Sequence, residues 1–363
     1  MVDSISKTSI DSLVQQYSQP SPLGFGQVLA PVMYRAEYTN GKWNKGALVP
    51  YEKILISPAA TSLQFAQQIF EGMKAYLVKQ ESPHLFRPEL NFNRLNRSAV
   101  RLSMPSMDAD IFADSIFQLT KALEEIIPGA PGQSLYLRPT VLGIDEQFAV
   151  QGSEDFTYLL MASPSDPYFA QAIKVLVERE HCRAAVGGTG ADKVGGNYAA
   201  SLNSTLKCRE MGFDQPLWLD PVSRQNVEEL SGMNFFAMID GRLVTPALSG
   251  SILPGVTRDS LIHLATHLGM EPVEKTMPID ALLKEIKIGD CTEAFASGTA
   301  AIVSPIAAIG EMGGEIYELP CTDDIANRLG TALLDIQEGR SNDEFGWMVD
   351  ASSQQELVKR FLR

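Results

Sequence analysis

The residue with most chemical promise is a lysine set in glycine. The segment Val186-Gly187-Gly188-Thr189-Gly190-Ala191-Asp192-Lys193-Val194-Gly195-Gly196-Asn197-Tyr198 places five glycines around Lys193. A strand-like run precedes it and a helical pattern follows. A P-loop would need Gly before its Lys and Ser or Thr after it, but Asp192 and Val194 stand there. A dinucleotide fingerprint fails too, because Lys193 occupies a place that requires a small residue. Two readings remain: a flexible surface loop with a solvated lysine, or a lysine that forms a Schiff base. A Schiff-base lysine must spend part of its time uncharged to attack an aldehyde. Glycines let the backbone approach a flat ring closely.

Such a lysine needs distant partners for the cofactor's phosphate, ring nitrogen and phenolic oxygen. Leu253-Pro254-Gly255-Val256-Thr257-Arg258 puts a Gly-Val-Thr turn at a helix start, with Thr257 or a neighbour as N-cap. Free amides and the helix dipole suit an anion there, although an ordinary capped helix explains the segment equally well. Ser297-Gly298-Thr299-Ala300 is a second Gly-Thr turn, able to serve a phosphate or a carboxylate or simply to join buried elements. Glu228 and Glu229 lie among apolar residues before a buried-looking strand. A carboxylate there either ends a strand in solvent or keeps a pyridine nitrogen protonated.

Around these residues, the elements that must hold them form an α/β (mixed α+β) pattern. Strands are expected at Ala75–Val78, Leu85–Pro88, Ser134–Arg138, Tyr158–Met161, Ile173–Glu178 and Pro216–Leu219. Asp240-Gly241 marks a hairpin between Phe235–Ile239 and Arg242–Thr245. Helices are expected around Leu95–Leu102, Ile111–Ile127, Tyr198–Met211, Arg258–Leu268 and Ala326–Gly339. Ala162–Tyr168, rich in turn residues, is the best linker candidate. The domains expected are therefore 1–163, a linker at 164–174, and a larger 175–363 domain carrying Lys193.

A chain of 363 residues supports two such domains. Its 30 Lys and Arg against 44 Asp and Glu give a net charge of -14, which disfavours nucleic acid and anionic membranes as partners. Any phosphate-bearing ligand must then be held by a local site. Cys182, Cys208, Cys291 and Cys321 form no CxxC pair, and four histidines show no ligand spacing, so neither a disulfide framework nor a metal site is expected. The start, Met1–Lys7, lacks an apolar signal core, and a cytoplasmic location is expected.

Taken together, six segments in order resemble the branched-chain aminotransferases over about residues 25–348. They are Phe70-Glu71-Gly72-Met73-Lys74-Ala75-Tyr76, Leu85-Phe86-Arg87-Pro88 with Asn93-Arg94-Leu95 and Ser98-Ala99, Ser134–Pro139, the Lys193 loop, Ile252–Arg258, and Ser297–Ala300. The resemblance implies a two-domain fold-type-IV architecture, pyridoxal 5'-phosphate (PLP) at the domain interface, and a homodimer. It implies Lys193 as Schiff-base lysine and proton shuttle, and Tyr198 on the phenolic oxygen. Glu229 would meet the ring nitrogen, with a slip to Glu228 possible, and Leu253 would pack on the ring. Arg94, Gly255, Val256, Thr257 and Thr299 would serve the phosphate. For substrate it implies Phe25, Phe65, Tyr136, Thr299 and Ala300, with Phe148 and Val150 reaching in from a partner subunit. Arg138 and Tyr136 would receive the second carboxylate of 2-oxoglutarate, and leucine, isoleucine and valine would be the amino donors.

Two positions depart from that pattern. Phe65 replaces a frequent Tyr, and Ala301 and Ser304 stand where some members carry a redox CxxC. D-amino acid aminotransferases and aminodeoxychorismate lyases share the scaffold, but the N-terminal region with Phe25 and the Leu85–Pro88 segment argue against both. A non-catalytic metabolite binder would not need Lys193, Tyr198 and Glu229 together.

Overall fold

In the computed structural model, described for residues 7–78, 81–167, 171–320 and 324–363, the chain divides into two compact units. The first contains residues 1–168, 193–195 and 335–363; the second contains 169–192 and 196–334. The start of the chain, read above for targeting signals, lies at 1–6 outside the described residues, as does Cys321. Among the described residues no helix is long and apolar enough to cross a membrane.

The first unit is built on a nine-stranded antiparallel sheet. Its order runs Met348–Asp350, Ser82–Phe86, Met73–Val78, Ser134–Gly143, Phe156–Ser165, Val32–Thr39, Lys42–Trp43. Ala47–Pro50 joins Val32–Thr39, and Gln68–Phe70 joins Ser134–Gly143. The two central strands pair over their full length, from Ser134↔Ser165 to Gly143↔Phe156. The strand thus runs to Ser165, through the segment expected as linker. Buried partners along ten residues outweigh the local turn chemistry of Pro164 and Ser165.

Helices pack against this sheet in a common core. Pro88–Arg101 starts with Pro in its first turn and buries Phe92, Leu95 and Ala99 at helical spacing. Ala109–Ala122 is capped by Asp108, whose carboxylate accepts from the Asp110 and Ile111 amides. The C-terminal helix Gln354–Phe361 packs on both, its Phe361 stacked on Phe92 at 5.0 Å and edge-on to Phe112 at 5.2 Å. Residues 335–363, expected in the C-terminal domain, therefore belong with the first unit. Their strand Met348–Asp350 completes its sheet and their aromatic ring completes its core.

In the second unit the strands run Val227–Leu230, Gln215–Leu219, Ile173–Glu178, Ile302–Gly310, Cys291–Gly298, Asn234–Ile239, Arg242–Pro246, Val273–Lys275. Val227–Leu230 also pairs with Asn234–Ile239 at Glu229↔Asn234, so six strands close into a ring. Periodicity cannot show such a closure, because it is a pairing between strand ends. The Asp240-Gly241 hairpin forms as expected, with φ of 50° and 73° at its two turn residues. The helix expected over Tyr198–Met211 splits into Gly195–Ala199 and Leu202–Glu210. Ser201 Oγ donates to the Tyr198 carbonyl and Thr205 Oγ1 to the Ser201 carbonyl; such bonds compete with the helix ladder.

Candidate active site

Lys193 belongs to the first unit although its loop begins in the second. Its backbone is tied down at both polar groups. The amide donates to Ser98 Oγ at 2.9 Å, and the carbonyl accepts from the Phe70 amide at 3.1 Å. Val194 bridges to Ile69, and a Cβ on Gly195 would lie 2.4 Å from Gln68 Oε1. The loop is thus stitched to the strand Gln68–Phe70, and the solvated-loop reading fails. Lys193 Nζ sits 4.9 Å from the centre of the Phe70 ring.

The same ring carries a second cation. The Arg138 guanidinium lies 4.7 Å from the Phe70 centroid, and its Nη2 donates to the Tyr136 hydroxyl at 2.9 Å. Phe25 meets Tyr136 edge-on at 4.9 Å. The loop that carries Phe25 is held by Asp166, whose carboxylate accepts from the Leu23 and Gly24 amides. Gly72 passes so close that a Cβ would come within 2.2 Å of the Tyr136 oxygen. Phe25, Tyr136, Arg138 and Lys193 therefore share one neighbourhood of the first unit. Phe65 is 39% exposed, and Phe148 and Val150 are 78% and 95% exposed on the same unit.

Arg94 is buried and makes a two-point pair with Glu71, Nε to Oε1 at 2.6 Å and Nη2 to Oε2 at 2.9 Å. Asn91 and the Gly72 amide also donate to Glu71. Burial alone would raise the Glu71 carboxyl. The charges of Arg94 and Lys193 and the bonds from Arg94 and Asn91 outweigh burial, and the group is held below its ordinary value. Ser98 joins the two cations' backbones, since its Oγ also donates to the Arg94 carbonyl at 2.8 Å.

In the second unit, Glu229 is 3% exposed on a strand where successive side chains point to opposite faces. It accepts from the Leu253 amide at 3.0 Å and from Asn234 Nδ2 at 3.2 Å, and pairs with Arg183. Glu228 instead accepts from the hydroxyls of Ser249 and Ser251. Asn234 also donates to the Leu253 carbonyl at 2.9 Å, which fixes the approach to the next helix.

That helix, Val256–His267, has Gly255 as its N-cap, without a side-chain bond to its first amides. Gly255 is required by space: a Cβ would lie 2.2 Å from Asn234 Oδ1. The cap is thus Gly255, two residues before the expected Thr257, and Thr257 stands inside the first turn. Thr299 and Ala300 form the turn between Cys291–Gly298 and Ile302–Gly310. Beside it the Ser297 hydroxyl is buried with no hydrogen-bond partner among the described residues. Tyr198 lies in the single turn Gly195–Ala199. Asn197 donates to the Thr189 and Asp192 carbonyls and accepts from the Thr189 hydroxyl, so the glycine loop is internally braced. Of its five glycines only Gly187 has positive φ.

Several of these residues escape sequence reasoning. Glu71, Lys74 and Ser98 sit in quoted motifs without an assigned role, Asn234 ends the Glu228-Glu229 segment likewise without one, and Arg183 carries no pattern at all. A buried charge in an apolar run is the one signal that could have singled out Glu71.

Residues 68–309 match the family model for amino-transferase class IV, which sets the class of enzyme. The branched-chain-amino-acid aminotransferase of Mycolicibacterium smegmatis is 42% identical over 335 residues, covering 90% of this chain and 91% of that one. The crystal structure of the Escherichia coli branched-chain amino acid aminotransferase superposes with a TM-score of 0.72 at 26% identity, covering 88% of this chain and 99% of that one. The T.th. branched-chain amino acid aminotransferase with pyridoxamine 5'-phosphate gives 0.73 at 24% identity over 90% and 100% of the two chains. Within class IV, this chain belongs to the branched-chain-amino-acid aminotransferase family.

Proposed function

We propose that the enzyme transfers amino groups from leucine, isoleucine and valine to 2-oxoglutarate, with PLP carried on Lys193, as a cytoplasmic homodimer. The observation that carries this reading is the Phe70 ring flanked by Lys193 at 4.9 Å and Arg138 at 4.7 Å. It brings a nucleophilic amine, a carboxylate receptor and the apolar wall of Phe25 and Tyr136 into one neighbourhood.

The residues present fit the cofactor. Gly255 leaves the Val256 and Thr257 amides at a helix N-terminus without a capping side chain, which suits a phosphate. Thr299, and Arg94 held by Glu71, are the further phosphate donors that the family resemblance assigns. Glu229 offers a buried carboxylate, paired with Arg183, to a ring nitrogen, with Leu253 next to it in the same network. Tyr198 supplies a hydroxyl for the phenolic oxygen. When bound, PLP supplies an aldehyde for the substrate amine and a ring that withdraws electrons from the substrate's α-carbon.

The chain's own work is then to hold, orient and move protons. Lys193 Nζ would take the proton from the substrate's α-carbon and deliver it to the cofactor carbon that keeps the amino group, acting as base and then acid. The Phe25–Tyr136 wall receives branched aliphatic side chains. By the family resemblance Phe65 and Ala300 are further substrate contacts, and the exposed Phe148 and Val150 would serve a partner's site. Arg138, oriented by the Tyr136 hydroxyl, pairs with the second carboxylate of 2-oxoglutarate.

Half-reactions with leucine, D-alanine and aspartate test the donor class; preference for D-alanine would overturn it. Borohydride reduction of the PLP-loaded protein followed by peptide mapping should label Lys193, and a label elsewhere removes that assignment. Comparison of 2-oxoglutarate with pyruvate as acceptor tests the Arg138 handle, with a strong preference for 2-oxoglutarate expected.

A further inference from the structure

Arg183 precedes the glycine loop, and its side chain is 4% exposed. It pairs with Glu229 on the strand Val227–Leu230. Its Nη2 also donates to the Gly190 carbonyl at 3.0 Å and to the Ser251 carbonyl at 2.7 Å. Gly190 lies three residues before Lys193. Ser251 lies two before Leu253, whose amide donates to the same oxygen of Glu229 that Arg183 meets. A Cβ on Gly190 would stand 2.3 Å from the Ser251 carbonyl oxygen and 2.4 Å from Ala184 Cβ, so the loop and turn touch backbone to backbone there.

One guanidinium therefore ties together the strand carrying Glu229, the loop leading to Lys193 and the turn leading to Gly255. An arginine suits this task because it stays charged and presents several donors in a rigid fork, whereas a lysine offers a compact ammonium on a flexible stem. A buried carboxylate without such a partner would be an uncompensated charge.

We propose that Arg183 is a positioning residue for the transamination reaction: it keeps Glu229 an anionic acceptor aimed at the cofactor's ring nitrogen and fixes the loop and turn on either side of it. The proposal rests on the reading of Glu229 as that nitrogen's partner. Glu228, bonded to serine hydroxyls on the other strand face, has no part in it.

The test compares wild type with Arg183→Met, Arg183→Lys, Glu229→Gln and the double variant R183M/E229Q. Each is loaded either with PLP or with its carbocyclic analogue, in which CH replaces the ring nitrogen. Dissociation of the chromophore is followed by visible absorbance, and leucine half-reactions give kcat and KM separately. Arg183→Met should weaken PLP by about tenfold or more, as loss of one partner from a buried pair does. It should lower kcat with little change in KM for leucine. Binding of the analogue, which gives Glu229 no nitrogen to meet, should change by less than about threefold. The double variant should bind PLP no worse than the weaker single variant.

Equal weakening of PLP and analogue would make Arg183 a mere loop support and overturn the proposal, as would additive losses in the double variant. If Arg183→Met does not fold, Arg183→Lys carries the same comparison, with the same pattern expected and the same equality overturning it. A wild-type protein that binds no PLP would sink the cofactor reading itself. Normal wild-type binding with an unaffected Arg183→Met would sink only this inference.

Discussion

The Lys193 amide donates to Ser98 Oγ, and the same oxygen donates onward to the Arg94 carbonyl. A single buried hydroxyl thus fixes the lysine backbone relative to the helix that carries the arginine. Ser98→Ala removes both bonds and leaves the Lys193 amide without that acceptor. Loss of stability of about 1–3 kcal/mol in urea unfolding is expected. The leucine half-reaction should slow while borohydride labelling stays on Lys193.

Glu71 is fully buried and its negative charge is what allows Arg94 to be buried as well. Glu71→Gln leaves a buried guanidinium without a counter-charge, at a cost of about 3–5 kcal/mol. Urea denaturation of the apoprotein measures this directly. The variant should also bind PLP more weakly, because Arg94 loses its two-point anchor.

Tyr136→Phe removes only the oxygen that receives Arg138 Nη2. A rise in KM for 2-oxoglutarate of about tenfold is expected, the worth of one hydrogen bond to a charged group. Leucine kinetics should change little, since the ring stays against Phe25. Steady-state measurements with each substrate varied in turn check the difference.

Lys74, 4% exposed on the strand Met73–Val78, has its ammonium 5.9 Å from the Phe25 ring. Burial lowers its pKa to about 7. Between about pH 7 and the ordinary lysine value near 10.5, the unfolded chain holds a proton there that the folded chain lacks. Stability contributed through Lys74 therefore rises with pH across that window, at up to about 1.4 kcal/mol per pH unit, and is flat below it. Lys74→Met should remove this slope, gaining most over wild type near pH 7 and converging toward pH 10. Urea denaturation of both proteins across that range is the measurement.

The elements were largely legible in the sequence where local chemistry dictated them. Asp240-Gly241 made its hairpin and the apolar spacing of Leu95, Ala99 and Leu102 marked a helix, whereas Pro88, read as the end of a strand, in fact opens that helix. The family and the candidate lysine were legible too, because Lys193, Arg94, Glu229 and the two Gly-Thr turns are motif positions. Long-range pairing was not. Nothing local announces that Phe361 stacks on Phe92, or that Cys291–Gly298 pairs with Asn234–Ile239 in the second sheet. The stock of groups available for chemistry is a fact of the chain alone, since its glycine, lysine and carboxylate positions exist before any folding. Which carboxylate pairs with Arg183, which ring lies against Lys193 and what anchors Arg94 were settled by the folded arrangement. Those relations join residues from tens to more than a hundred positions apart, where burial and desolvation, rather than propensity, select the partner.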